Sequence, residues 1–206
     1  AAMRPSAIIL SGGPASVYAK GAPQIDRGVF ELGVPVLGFC YGQQIMAVAL
    51  GGRVGHTERG EYGPARLRRQ GSSRILGDTP AEQTVWMSHR DAVSDVPDGF
   101  VVTASTDGCP VAAMEDAGHR LFATQFHPEV RHTEHGTRML RNFLFDVCGL
   151  KPSWTMEGVV QGMVDAIRAQ VGSDRMILAL SGGVDSSVVA ALCARAIGKQ
   201  LTCVFV

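Results

Sequence analysis

This chain has no excess charge of either sign. Nineteen Lys and Arg balance nineteen Asp and Glu, and charged residues make up only 18% of its 206 positions. The balance holds along the chain, with 14 basic and 15 acidic groups in residues 1–149 and 5 and 4 in residues 150–206. A nucleic-acid reader carries a basic patch or stripe, so that class is set aside. Long apolar runs are missing as well: Ala7 to Leu10 and Val188 to Ala194 fall far short of the roughly 18 residues a membrane span needs. One Arg and a four-residue apolar run before Ser11-Gly12-Gly13 are too little for a signal-peptide core, so secretion is not expected. Cysteines are few and unpaired in pattern. The five, at Cys40, Cys109, Cys148, Cys193 and Cys203, show no CxxC, which argues against a disulfide framework or zinc site and fits a reducing cytoplasm.

What is present is apolar material and glycine. Hydrophobic residues make up 46% of the chain, enough for a packed core, which excludes disorder and a collagen-like or coiled-coil class. Glycine stands at 25 residues, about 12% against a usual 7% or so. A length of 206 residues falls between one domain and two at about 150 each.

Pro35-Val36-Leu37-Gly38-Phe39, Met176 to Leu180 and Ala7 to Leu10 read as buried parallel strands of an α/β fold, because strands covered on both faces lose polar alternation. Between Gly51 and Asp107, short alternating pieces punctuated by Gly, Pro and Asp suggest hairpins at one edge of the sheet. Gly136 to Val147 has helical spacing and stops at Gly149, after which Lys151-Pro152-Ser153 reads as a linker. Thr155 can cap a helix to about Gln170 with Val159, Val160, Met163, Val164 and Ile167 on its apolar face. A strand at Met176 to Leu180, a helix from Asp185 to Ile197 and a strand at Leu201 to Val206 then make one βαβ unit. The expected division is 1–149 for a first domain, 150–154 for a linker and 155–206 for the opening of a second domain whose remainder lies beyond Val206.

Gly38-Phe39-Cys40-Tyr41-Gly42 sits where an apolar strand turns into a helix, the pattern of a nucleophile elbow with sulfur in place of oxygen. A thiol there would lie at a helix N-terminus, whose dipole favours negative charge. The other four cysteines read as buried structural residues. A cysteine nucleophile needs a base oriented by a third group. Gln125-Phe126-His127-Pro128-Glu129 supplies both, His and Glu two apart on an extended segment. The competing reading, a metal cluster of His127, Glu129, His132 and His135, lacks the tight spacing of metal ligands.

Taken in order, Ser11-Gly12-Gly13-Pro14, Gly38-Phe39-Cys40-Tyr41-Gly42-Gln43-Gln44 and Gln125-Phe126-His127-Pro128-Glu129 resemble the class I (triad-type) glutamine amidotransferases. The resemblance implies a flavodoxin-like mixed sheet with helices on both faces. It also implies that Cys40 attacks the glutamine side-chain amide, His127 shuttles the proton and Glu129 orients His127. Backbone N–H groups of Gly13 and Tyr41 would hold the oxyanion. Gln44, four residues past Cys40 and so on the same helix face, would bind the amino-acid end of glutamine. Trp86-Met87-Ser88-His89-Arg90-Asp91 is similar to the family's other glutamine-contacting loop, through Ser88, His89 and Asp91. Arg90 stands where that loop usually has glycine, which bears on its conformation.

Ser181-Gly182-Gly183-Val184-Asp185-Ser186-Ser187 lies between a strand and a helix, where backbone N–H groups cradle phosphate. It lacks the lysine of a Walker A loop, and the plain alternative is a glycine turn with Asp185 and Ser186 as helix caps. The run resembles the PP-loop of N-type ATP pyrophosphatases, of adenine nucleotide α-hydrolase-like fold. By that resemblance all seven residues contact ATP, and Asp185 sits near Mg²⁺. An amidotransferase followed by a pyrophosphatase resembles the glutamine-hydrolysing GMP synthase family, and Ile197 to Val206 looks like its continuation.

That family implies ammonia made at Cys40 and consumed in ATP-dependent amination of xanthosine monophosphate, with AMP and pyrophosphate released. It implies no tightly bound prosthetic group, a homodimer through a C-terminal domain, and a first strand and helix ahead of Ala1. The alternatives are a glutaminase domain serving another ammonia acceptor and a non-catalytic regulatory module of the same fold.

Overall fold

The computed structural model describes residues 3–152 and 155–206, the side chains of residues 58 and 59 excepted, so positions 153 and 154 of the expected linker lie outside the described residues. The chain forms two compact units, Ala1–Lys151 and Pro152–Val206. Each unit has its own sheet.

In the first unit β1 (Ile8–Leu10), β2 (Val36–Phe39), α1 (Tyr41–Ala49), β3 (Arg53–Arg69), β4 (Glu82–Asp95), β5 (Val101–Ser105), β6 (Ala113–Asp116), β7 (Leu121–Thr124) and α2 (Gly136–Arg141) follow in order. The seven strands lie in the order β1-β2-β7-β6-β5-β3-β4. β1, β2 and β7 run parallel, and the pairs from β7 outward are antiparallel, so the sheet is mixed. Alternation along the central strands explains why both faces are covered. Leu37, Phe39 and Phe122 point to a core shared with Met139, Phe143 and Val147. Val36, Leu121 and Ala123 point the other way, to Ile45, Met46 and Ala47 of α1. All eight residues of β2 and β7 are buried, as their unbroken apolar character requires.

The helix expected over Gly136 to Val147 is present, but after Arg141 it continues as a π-helical stretch, Asn142–Val147. The expected edge hairpins are also present, as two long strands of 17 and 14 residues. Punctuation by Gly63 and Pro64 misleads here. β3 touches β5 only at Arg68 and Arg69 and otherwise has the single neighbour β4, so a proline and a glycine at φ 105° are tolerated within it.

The second unit runs α3 (Met156–Val171), β8 (Met176–Leu180), α4 (Val184–Ile197) and β9 (Leu201–Phe205), with β8 and β9 parallel. Thr155 caps α3, its Oγ1 accepting the Gly158 N–H at 3.1 Å. Val164, Ile167 and Val171 make the inward stripe, against Leu192, Ala196 and Ile197. Met163, expected on that face, is exposed. Cys203, expected to be buried, is exposed on β9, and Cys148 is only partly buried, whereas Cys109 and Cys193 are buried. Among the described residues no helix is long and apolar enough to cross a membrane.

Candidate active site

Three glycine- and histidine-bearing segments meet because they leave the same edge of three adjacent parallel strands. Leu10 pairs with Gly38 and Phe39 with Thr124, so Gly12, Cys40 and His127 all follow closely on strand ends that are side by side. Ligands gather at such carboxyl ends in open α/β sheets. Cys40 adopts φ 49° and ψ −104° at the start of α1, a conformation that strains a residue with a Cβ. The strain is held by the Cys40 N–H, which donates to the Thr124 carbonyl at 2.8 Å. Gly38 and Gly42 make the turn possible. A Cβ on Gly38 would sit 2.6 Å from the Gly42 carbonyl, and one on Gly42 would run into the Leu10 carbonyl.

Gly12 lies against both reacting side chains. A Cβ there would be 2.8 Å from His127 Cε1 and 3.5 Å from Cys40 Cβ. His127 Nδ1 is 2.7 Å from Glu129 Oε1, and the His127 backbone is tied down by its N–H to the Trp86 carbonyl at 3.0 Å and its carbonyl to Thr133 Oγ1 at 2.6 Å. Hydrogen bonding with Cys40 raises the His127 ring above its ordinary value. Burial opposes this, hydrogen bonding with Glu129 adds to it, and the result is a value of about 9. The Cys40 thiol also reaches the Ser88 carbonyl, at 3.6 Å.

The raised value carries a pH signature. Because the folded ring titrates at about 9 rather than 6.5, the stability gained from its protonated form is fully present below pH 6.5 and is lost as the pH rises through about 9. Glu129→Gln is therefore expected to lower the melting temperature most below pH 6.5, with the gap to the parent chain shrinking towards pH 10. Melting curves across that range check it, and a gap independent of pH would contradict it.

Beside Cys40 is a cavity of about 490 Å³ lined by Gly13, Gln44, Ser88, His89, Arg90 and Asp91, together with Pro14 to Ser16, His56 and Tyr62. His127 and Glu129 are not part of that lining. Tyr41 opens α1, so its N–H has no partner within the helix, and Gly13 packs 3.5 Å from the Tyr41 ring, counted from where a Cβ would stand. Gln44 commits its amide N–H groups to the Asp91 carbonyl at 2.7 Å and Gln125 Oε1 at 3.1 Å. The segment Trp86 to Asp91, expected as a loop, belongs to strand β4. Its burial alternates, Ser88 and Arg90 exposed and His89 and Asp91 buried. Arg90 does not have a positive φ. Its backbone makes no demand for glycine.

These positions match a described family over most of the chain. A family model described as glutamine amidotransferase class-I matches residues 1–147. The chain belongs to the class-I glutamine amidotransferases. A second model, described as NAD synthase, matches residues 156–206. A curated relative from Thermobifida fusca, named GMP synthase [glutamine-hydrolyzing], is 58% identical over 205 residues, covering 100% of this chain and 39% of its own length. One of the same name from Bacillus mycoides is 50% identical, with 40% of its length covered. The chain thus spans about two fifths of the curated relatives it matches. Among solved structures, a putative GMP synthase subunit from Thermoplasma acidophilum superposes with a TM-score of 0.59 at 34% identity, over 70% of this chain and 73% of the other.

Glu61 of the amidotransferase unit carries no signal in the sequence, since a lone acid in a polar ribbon has no pattern. Its carboxylate accepts from Thr106 Oγ1 at 2.8 Å and the Gly108 N–H at 3.3 Å, and lies 3.2 Å from His89 Nε2. Burial pushes Glu61 up, but hydrogen bonds from His89 and Thr106 outweigh it and hold the carboxyl below its ordinary value. His89 Nδ1 is 3.1 Å from the Asp91 carbonyl, so Glu61 supports the cavity wall through His89. Glu61→Ala is expected to cost about 3 kcal/mol by leaving buried donors unmatched. Thermal or urea unfolding checks it, and a loss below about 1 kcal/mol would contradict the assignment.

Glu61, His89 and Cys109 each put one ligand atom within 4.8 Å of the others, the only such group among the described residues. The alternative cluster of His127, Glu129, His132 and His135 is not assembled. Burial and the nearby Glu61 push the Cys109 thiol up to about 12, and Glu61 is already occupied by donors. Metal ligation needs a thiolate and free lone pairs, so this group reads as a hydrogen-bonded wall.

In the second unit, Ser181 to Gly183 link β8 to α4. Gly182 has φ 78°. Asp185 and Ser186 do not cap the helix as the plain alternative expected. Gly183 is the N-cap, with no side-chain hydrogen bond to the first turn. Ser186 and Ser187 hydroxyls instead donate to the Gly183 carbonyl at 3.0 and 2.8 Å, and Ser181 Oγ lies 3.1 Å from Ser186 Oγ. First-turn N–H groups of α4 thus lack a partner within the helix, the condition for anion binding.

Proposed function

We propose that the chain is the glutamine-hydrolysing part of a GMP synthase, together with the start of its ATP-using part. The observation that carries the reading is the meeting of Cys40, His127 and Gly12 at three adjacent strand ends, with Glu129 on His127 and a polar cavity alongside. In this reading residues 1–149 form the amidotransferase domain, 150–154 the linker and 155–206 the opening of the pyrophosphatase domain. Cys40 attacks the side-chain amide carbon of glutamine, and the N–H groups of Gly13 and Tyr41 receive the developing oxyanion. His127 passes a proton to the leaving nitrogen, so ammonia departs and a thioester remains. Water, deprotonated by His127, then cleaves the thioester to glutamate and restores the thiol. Glu129 holds the His127 ring in place throughout.

The Gln44 oxygen is free to accept from the substrate ammonium because its N–H groups are committed elsewhere. Ser88, His89 and Asp91 shape the wall around it. Ser181, Gly182, Gly183, Val184, Asp185, Ser186 and Ser187 take the phosphates of ATP, with Asp185 near Mg²⁺, and xanthosine monophosphate is the acceptor of ammonia. A homodimer in the cytoplasm, with neither nucleic acid nor membrane as partner, completes the reading. The names of the curated relatives favour this acceptor over another. The chain is expected to convert glutamine to equal amounts of glutamate and ammonia and to leave asparagine intact. Substituted for the corresponding region of the Thermobifida fusca relative, it is expected to sustain GMP formation from xanthosine monophosphate, ATP and glutamine. Absence of ammonia release would overturn the glutaminase reading, and release without GMP formation the choice of acceptor.

A further inference from the structure

We infer that Arg90 is a specificity residue of this site that binds the α-carboxylate of the amino-acid substrate; the inference rests on the glutaminase reading above. A free amino acid brings two opposite charges into the cavity, and each needs a partner there. Asp91 and the Gln44 oxygen suit the ammonium end. For the carboxylate, the wall offers one Lys or Arg among the described residues, and that is Arg90. The two histidines of the lining are already engaged. His89 faces Glu61 and the Asp91 carbonyl, and the His56 ring nitrogen is in ion-pair range of Asp91 Oδ1, although out of line for a hydrogen bond. Among the described side chains, which leave out those of residues 58 and 59, no carboxylate lies within ion-pair range of the Arg90 guanidinium, whereas Arg53 pairs with Asp95, Arg66 with Glu82 and Arg68 with Asp107, and Arg69 donates to the Leu76 and Gly77 carbonyls.

Strand geometry supplies the distance. Ser88, whose carbonyl contacts the Cys40 thiol, and Arg90 lie two apart on β4 and share its exposed face. Two residues of strand advance about 6.6 Å, a span that the short carbon chain of glutamine covers between its amide and its carboxylate. The Arg90 main chain is fixed while its side chain stays free. Its carbonyl accepts from Thr57 Oγ1 at 2.9 Å, and a Cβ on Gly60 would meet Arg90 Cα at 3.2 Å. A guanidinium also suits a carboxylate better than an ammonium would, because it can donate two parallel hydrogen bonds.

The test compares L-glutamine with L-glutaminamide, whose α-carboxylate is replaced by a neutral amide. Binding is measured by calorimetry on the full chain carrying Cys40→Ala, alone and combined with Arg90→Gln or Arg90→Lys, so that turnover is not needed. Arg90→Gln is expected to weaken glutamine binding about tenfold and Arg90→Lys less. Glutaminamide is expected to bind equally to all three. Melting temperature serves as the folding control for these exposed substitutions. Equal glutamine affinity with and without Arg90, an equal loss for both ligands, or no binding of glutamine at all would overturn the inference. Glutamine that binds through Arg90 but is not hydrolysed by the Cys40-bearing chain would overturn the glutaminase reading and leave this one standing.

Discussion

Cys40→Ala is expected to lower glutamine turnover by about 10⁴-fold or more, because an enzyme that loses its nucleophile keeps only binding and oxyanion contributions. The melting temperature should fall below about pH 9, where hydrogen bonding with Cys40 is the largest contribution to holding the His127 proton, and move little above it, since the change otherwise removes only a sulfur and leaves the Cβ in its strained position. Cys40→Gly separates the two roles of the position. It is expected to be equally inactive yet more stable than Cys40→Ala, because glycine adopts φ 49° without strain. Glutamate formation and thermal melting of the three chains provide the check. Ammonia release that survives Cys40→Ala would remove Cys40 from the reaction, and equal stability of the Ala and Gly chains would remove the argument from strain.

Gly42→Ala is expected to be among the most damaging single methyls in the amidotransferase unit. The Cβ would run into the Leu10 carbonyl, with Leu10 Cβ 2.9 Å away. That obstacle is backbone, fixed by the pairing of Leu10 with Gly38, so no side chain can swing aside. Either α1 lifts from β1 or the β1–β2 pair opens. A cost of about 3 kcal/mol or more follows, equivalent to a fall of about 10 °C in melting temperature for a unit of this size. Activity should fail with it, because Gly12 and Gly13 follow β1 and Cys40 starts α1. Gly55 is the control: a Cβ there meets nothing within 4 Å and its φ is ordinary, so Gly55→Ala should cost far less. Similar melting temperatures for the two variants would refute the packing argument.

The central strands and the helices flanking them were legible from the sequence because they are local in origin. β2 is an apolar run buried along its length, β8 is an apolar run whose strand was legible although the burial expected of it is not found, Ile177 being exposed, and Thr155 is a cap at the first position of an amphipathic stripe. The edge ribbon was legible only in kind. Gly63 and Pro64 look like strand ends, and only the absence of a second neighbour along most of β3 lets them sit inside a strand. The site divides the same way. Cys40 announced itself by its glycines and His127 by its spacing to Glu129. Glu61 carried no local pattern, since what matters about it is that His89 stands opposite across β3 and β4, and Arg90 stood out only as a departure from the glycine usual at its place.

The sequence by itself therefore determined the reagents: a cysteine on a tight turn, a histidine with its own carboxylate two residues on, and a glycine-rich turn leading into a helix. Each depends on neighbours within a few residues, and steric limits and hydrogen-bonding chemistry act at that range. The tertiary structure alone decided that the first two meet. Leu10, Gly38 and Ala123 are neighbours only through parallel strand pairing, and it is that pairing, across more than eighty residues of chain between Cys40 and His127, that sets Gly12 against both. It also decided the wall of the cavity, placing Glu61 behind His89, because register across a ribbon is a property of two strands and is written in neither one.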